Sequence, residues 1–217
     1  MSKTDILVGD IGGTNVRLAV AHLNASGTVE LDHISRMPVA KFASLGDAVD
    51  AWHAQGRTLP DTAVFALAGP TGADEVRFLN SNWVVSRSAT QSRFDFASVT
   101  LVNDFAAQAR AIPASPADAF ETLIDGIAQA GAPIVVLGPG TGLGLAILLP
   151  ESDGWRVLST EGGHQAYAPC SLRERQILEH VLKTMPYVSY ENLVSGPGLD
   201  RLYQAICALE GRPALLK

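Results

Sequence analysis

Residues Val8-Gly-Asp-Ile-Gly-Gly-Thr-Asn-Val-Arg17 place a carboxylate, two adjacent glycines and a hydroxyl within a few positions. The apolar run Ile6-Leu7-Val8 ends at Asp10, turns through Gly12 and Gly13, and resumes as Val16–Val20. That spacing predicts strand, tight turn, strand, with a carboxylate at the mouth of the turn. Glycines let backbone N–H groups approach a phosphate, and Thr14 adds a hydroxyl donor. Asp10 is then placed to hold Mg²⁺ through water, because a hard cation carrying phosphates prefers oxygen ligands. No Gly-Lys-Ser/Thr follows, so this is not the strand-to-helix P-loop pattern. An ordinary hairpin turn accounts for the same residues. A second glycine turn, Gly138-Pro-Gly-Thr-Gly142, offers a second cradle at Gly140, Thr141 and Gly142.

Phosphoryl transfer to an alcohol also needs a carboxylate to accept the hydroxyl proton. Asp104, in Val102-Asn-Asp-Phe105, sits where a strand gives way to a helix and is the base candidate. A helix N-cap is the competing explanation, and the two roles are compatible. Sugar hydroxyls each donate and accept, so a sugar site needs converging carboxylates and amides. Glu161-Gly-Gly-His164 supplies a carboxylate and an imidazole around two small residues, although a lone histidine is commonly structural. Glu191 reads as a helix opener, a position that favours acidic residues through the dipole alone.

The elements that must position these groups alternate between β and α. Strand-like runs cover Ile6–Asp10, Val16–His22, Val29–Met37, Thr62–Leu67, Val76–Leu79, Trp83–Ser86 and Val99–Val102, and residues 105–112 read as a short helix. Pro113–Asp118 is a turn-rich break, which predicts a small α/β domain over residues 1–113 and part of a larger one over 114–217. Beyond the break, Ile134–Leu137, Leu143–Leu149 and Trp155–Ser159 are strands. Ser171-Leu-Arg-Glu174 is a capping box ahead of Leu178, Val181, Leu182 and Met185. Ser195-Gly-Pro-Gly precedes Leu199, Leu202, Tyr203, Ile206 and Leu209, closed by Gly211. Both stripes are expected to be core faces. A glycine turn near the start of each half, each joining two strands, suggests duplicated cores that clamp a nucleotide from two sides.

The chain has 217 residues, 47% hydrophobic and 18% charged, ample for a buried core. Its net charge of −6 argues against nucleic acid or an anionic membrane as the main partner. Cys170 and Cys207 lie far apart without C-x-x-C spacing, so neither a disulfide framework nor a zinc site is indicated. With no signal-peptide profile and no apolar run of spanning length, the expected location is cytoplasmic.

Five motifs then occur in register: Val8–Asn15, Leu101-Val-Asn-Asp-Phe105, Gly138–Gly144, Glu161-Gly-Gly-His164 and Glu191-Asn-Leu-Val-Ser-Gly-Pro-Gly198. Together they resemble the bacterial glucokinase family, from the first strand to about Leu209. The resemblance implies the actin-like ATPase (ribonuclease H-like) fold, with two α/β domains around a cleft and the second incomplete. It implies ATP-dependent phosphorylation of the D-glucose 6-hydroxyl with Mg²⁺. Asp104 would be the base, and Asn103, Glu161, His164 and Glu191 would bind the sugar, with Asn80 as an additional candidate. Gly12, Gly13, Thr14, Thr141 and Gly142 match the phosphate loops, and Asp10 matches the metal-facing carboxylate. Expected partners are glucose and MgATP, and dimers are common among relatives, so a homodimer is allowed for.

A related repressor/kinase sugar family carries a similar Glu-x-Gly-His element followed by a cysteine-rich zinc motif, but Cys170 stands alone here, which favours the zinc-free branch. Family members continue past this point with a loop over the adenosine and a returning helix. Apolar surface is therefore expected to be exposed where those segments would pack. Two alternatives stay open: a kinase for another hexose, and a sugar-binding fragment that transfers no phosphate.

Overall fold

The computed structural model describes residues 4–24, 29–69, 71–78 and 83–215. The chain divides into two compact units, Met1–Ala107 and Gln108–Lys217.

In the first unit a five-stranded sheet has the order β3-β2-β1-β4-β7. Its strands are β1 (Thr4–Ile11), β2 (Asn15–Leu23), β3 (Val29–Pro38), β4 (Thr62–Leu67) and β7 (Ser98–Asn103). Strands β1, β2 and β3 form an antiparallel meander, whereas β4 runs parallel to both β1 and β7. Strict alternation in Thr-Ala-Val-Phe-Ala-Leu sends Ala63, Phe65 and Leu67 to one face of the sheet, each of them fully buried. That face packs against α1 (Leu45–His53) through Leu45, Ala48, Val49 and Trp52, and receives Phe94 and Phe96 from the end of α2 (Arg87–Phe94). A small hairpin, β5 (Glu75–Arg77) with β6 (Val84–Ser86), adds Val76 and Val85 to the same core. Trp52 is completely buried, and its indole N–H donates to the His33 carbonyl at 3.2 Å. His33 itself sits in the left-handed region, where the β2–β3 register shifts.

The opposite face of this sheet surrounds a cavity of about 370 Å³ lined by Val8, Ala19, Ile34, Val64, Ala66 and Val102. Ile34 remains 66% exposed.

In the second unit the end of α3 (Asp104–Ala111) leads into two single-turn 3₁₀ segments, Ile112–Ala114 and Ala117–Ala119. An antiparallel sheet follows, ordered β10-β9-β8, from β8 (Ile134–Pro139), β9 (Leu143–Glu151) and β10 (Gly154–Thr160). Helices α4 (Leu172–Val181) and α5 (Gly196–Leu209) complete it. Ser171 caps α4 by accepting the Glu174 N–H, and Ser195 caps α5 by accepting that of Gly198. The Glu174 carboxylate turns back to the Cys170 N–H rather than to Ser171, one residue earlier than a capping box requires. The helical core is Ile177, Val181, Val188, Leu193 and Ala205, with Leu178, Met185, Leu202 and Ile206 packed against it. The expectation that both apolar stripes are wholly core is corrected in three places. Leu182, which caps the end of α4, is 43% exposed, and in α5 Leu199, in the first turn, is 61% exposed and Leu209, at the end, 38% exposed.

Among the described residues, no helix is long and apolar enough to cross a membrane.

Candidate functional site

The first glycine turn is a true hairpin: the Gly12 N–H donates to the Asn15 carbonyl at 2.9 Å and closes the loop between β1 and β2. Asp10 faces Arg17 directly across this hairpin, and their side chains form an ion pair with both partners half exposed. Thr14 is exposed at the tip, and its carbonyl accepts the Val39 N–H at 2.9 Å, which anchors the turn to the end of β3. A Cβ added to Gly12 would meet nothing closer than 3.5 Å, and one at Gly140 would meet nothing within 4 Å. Neither position has a positive φ. Neither glycine is therefore demanded by its own fold, and the space above each is open to a ligand.

Asn103 and Asp104 stand at the carboxyl end of β7, where it passes into α3 (Asp104–Ala111). The helix cap is Asn103 rather than Asp104, since the Asn103 Oδ1 accepts the Ala106 N–H at 2.9 Å. The Asn103 amide nitrogen donates to the Gly69 carbonyl and to the Asp104 Oδ1, each at 3.2 Å. Asn103 thus braces Asp104 and ties it to the end of β4. Burial withdraws the Asp104 carboxyl from water and pushes its pKa above the ordinary carboxylate range. The Phe105 N–H, donating at 2.8 Å, opposes that shift, and the negative charge of Asp10 adds to it. A half-buried, raised carboxylate fixed at a strand end has the properties of a general base.

The remaining candidates converge within the second unit. The His164 Nδ1 lies 3.4 Å from Glu161 Oε2, and its Nε2 lies 3.3 Å from Glu191 Oε1. Glu161 precedes and His164 ends a single 3₁₀ turn, Gly162–His164, in which close packing against backbone requires Gly163. A Cβ on Gly163 would collide with the Leu143 carbonyl oxygen, and one on Gly162 would come within 2.8 Å of the Leu145 side chain. Glu191 does not open a helix, as its sequence context suggests; it lies in a turn five residues before α5 begins. Its N–H donates to the Gly163 carbonyl at 2.9 Å, and its Oε2 accepts the Leu143 N–H at 2.9 Å. Thr141 is exposed at the tip of the second glycine turn, and Gly142 lies directly against the Glu191 carboxylate. The Gly140 carbonyl accepts the Gly196 N–H at 2.8 Å, so the turn is also tied to the start of α5.

The structure therefore gathers Glu161, His164, Glu191, Thr141 and Gly142 in one unit, and Asp10, Gly12, Gly13, Thr14, Asn103 and Asp104 in the other. Asn80 lies outside the described residues. Two further residues contact these candidates without a motif of their own in the sequence. Arg17 could have been found by counting equally outward from the glycine turn to the position opposite Asp10. Tyr187, whose hydroxyl donates to the His164 carbonyl at 2.6 Å, left no signal, because only the folded chain brings residues 23 apart together.

The glucokinase family model matches residues 7–217. A glucokinase of Nitrobacter hamburgensis is 39% identical over 208 residues, covering 95% of this chain and 63% of its own. A glucokinase of Chromohalobacter salexigens is 40% identical over 200 residues, covering 92% and 62%. The chain thus spans less than two thirds of the length of these curated relatives. Among solved structures, a glucokinase from an Antarctic psychrotroph superposes with a TM-score of 0.85 at 35% identity, covering 99% of this chain and 67% of that one. A glucokinase from Balamuthia mandrillaris in complex with glucose shares the fold at a TM-score of 0.75 and 24% identity, covering 97% and 64%. The actin-like sugar-kinase fold expected from the motifs is the fold of these neighbours.

Proposed function

The chain belongs to the glucokinase family, and we propose that the whole protein transfers the γ-phosphoryl group of ATP to the 6-hydroxyl of D-glucose. The observation that carries this reading is Asp104: a braced carboxylate, released from capping duty and raised in pKa by burial. In the proposed reaction Asp104 accepts the proton of the attacking hydroxyl as the oxygen–phosphorus bond forms. Asn103 keeps that carboxylate aimed, and the backbone at Phe105 stabilises its charge.

Glu161, His164 and Glu191 present two carboxylates and an imidazole between them, a donor and acceptor set suited to adjacent sugar hydroxyls. The open space over Gly12 and Gly140 suits phosphate oxygens reading backbone N–H groups, with Thr14 and Thr141 adding hydroxyl donors. Each glycine costs backbone entropy, about 0.5–1 kcal/mol relative to alanine, which a ligand cradle would justify and internal packing does not.

Among the described residues, no three His, Cys, Asp or Glu side chains gather to chelate a metal. Asp10 alone fits a Mg²⁺ ion held through water and carried in on the nucleotide phosphates. When bound, that ion would neutralise charge on the transferring phosphoryl group. Arg17, paired with Asp10, keeps the carboxylate in place between turnovers.

The test is a coupled assay of ADP release by the purified protein with glucose, mannose and fructose. Asp104→Asn should lower kcat by about 10²–10⁴-fold with glucose affinity within about tenfold of wild type. An Asp104→Asn protein with near-normal turnover would remove Asp104 from the role of base.

A further inference from the structure

Glu191 divides its carboxylate between two places. One oxygen, Oε1, faces the His164 imidazole at 3.3 Å, on the side of the cluster formed with Glu161. The other, Oε2, holds the Leu143 N–H at 2.9 Å, at the point where the glycine turn Gly140–Gly142 enters β9. The surrounding backbone closes this into a ring. The Glu191 N–H reaches the Gly163 carbonyl, and Gly163 in turn lies against the Leu143 carbonyl so tightly that no Cβ fits. Glu191 is also partly shielded, with its side chain 29% exposed against 77% for Glu161. A charge-assisted hydrogen bond in such a place is stronger than a solvated one, and it has a single carboxylate as its pivot.

We propose that Glu191 is a positioning residue that couples sugar binding to the order of the second glycine turn. This rests on the reading of Glu161, His164 and Glu191 as a sugar site. A sugar hydroxyl bonded to Oε1 restricts rotation of the carboxylate. That restriction holds Oε2 on the Leu143 N–H and steadies the turn that would receive the phosphates. Coupling free energies between sites commonly amount to 5–150-fold, and the bond at Leu143 is where this one would be read.

The experiment follows amide hydrogen exchange at Leu143 in ¹⁵N-leucine-labelled protein, with and without D-glucose, alongside calorimetry of glucose binding. Leu145, two residues further along β9, reports any general tightening of the fold. The expected result is at least fivefold slower exchange at Leu143 on saturation with glucose, with a clearly smaller change at Leu145. In Glu191→Gln, Leu143 should exchange faster in the free protein, because the neutral amide is a weaker acceptor, and the glucose effect should fall below twofold. Glucose that binds with heat but leaves Leu143 unchanged, or slows Leu143 and Leu145 equally, overturns the coupling and leaves the sugar reading standing. A full effect retained in Glu191→Gln removes Glu191 from the path. No heat from glucose in folded protein ends the sugar reading and the coupling with it.

Discussion

Two glycines in neighbouring turns should respond in opposite ways to the same added methyl group. At Gly163 a Cβ would collide with the Leu143 carbonyl oxygen and stand 3.1 Å from both the carbonyl carbon and the side-chain Cβ of that residue. Two of these three atoms are backbone, held by the β8–β9 ladder, and cannot swing away. Relief requires the Gly162–His164 turn to lift from β9, which also pulls the Gly163 carbonyl from the Glu191 N–H. Overpacking of this kind costs about 1–3 kcal/mol, before the lost hydrogen bond is counted. At roughly 2–4 °C per kcal/mol for a chain of this size, Gly163→Ala should lower the Tm by about 2–12 °C. At Gly140 a Cβ meets open space, so alanine only restricts the unfolded chain and should stabilise by up to about 1 kcal/mol. Thermal unfolding by circular dichroism reads both variants. Calorimetry with glucose should find Gly163→Ala weakened, because His164 and Glu191 lose their spacing, and Gly140→Ala unchanged. A Gly163→Ala protein as stable as wild type would refute the packing argument, since nothing else at that position demands glycine.

Other outcomes follow from the same structure. Asp104 is raised in pKa, so the native state holds its proton more tightly than the unfolded chain does, and its contribution to stability falls as pH rises through the ordinary carboxylate range and beyond. Asp104→Asn should therefore be the more stable protein at pH 7, with the gap in Tm closing as pH falls below 4; a gap that widens on acidification would reverse the sign. With Asp104 in the proposed role of base, the acid limb of kcat in the whole protein should lie above the usual carboxylate pKa, because the base must be ionised. Trp52→Ala removes a fully buried indole and its bond to the His33 carbonyl, which should cost about 3–5 kcal/mol in a denaturant titration. Ser195→Ala removes the cap of α5 and should cost about 0.5–2 kcal/mol by the same measurement, with the Gly140–Gly196 link loosened.

Both glycine hairpins are legible in the sequence because apolar runs on either side of a glycine turn have few other solutions, and the strand expected over residues 62–67 has those same ends in the structure. Helix α1 is not legible from its local sequence alone. Its signal, Ser44 capping Asp47 before Leu45, Ala48, Val49 and Trp52, is clear only once the strand at residues 29–38 is known to end. Helix α2 has almost no signal, since Thr90 is its one buried residue and its apolar contacts come from Phe94 and Phe96 at its end. The candidate site divides along the same line. Asp10, Asp104, Glu161 and His164 stand in short local motifs and were visible in order. The capping role of Asn103, the turn that carries Glu191, and the help of Arg17 and Tyr187 depend on pairings made by the fold. Local spacing reveals which groups are available, and tertiary contact decides which of them is held and which is free to react.

Calorimetric titration of D-glucose into the folded protein, without nucleotide and with fructose and mannose as comparisons, tests the central claim most directly. Glucose is predicted to bind with measurable heat and in preference to the other two, and Glu161→Gln should weaken that binding. Absence of heat from glucose in a sample with a cooperative unfolding transition would contradict the claim that Glu161, His164 and Glu191 form a sugar site.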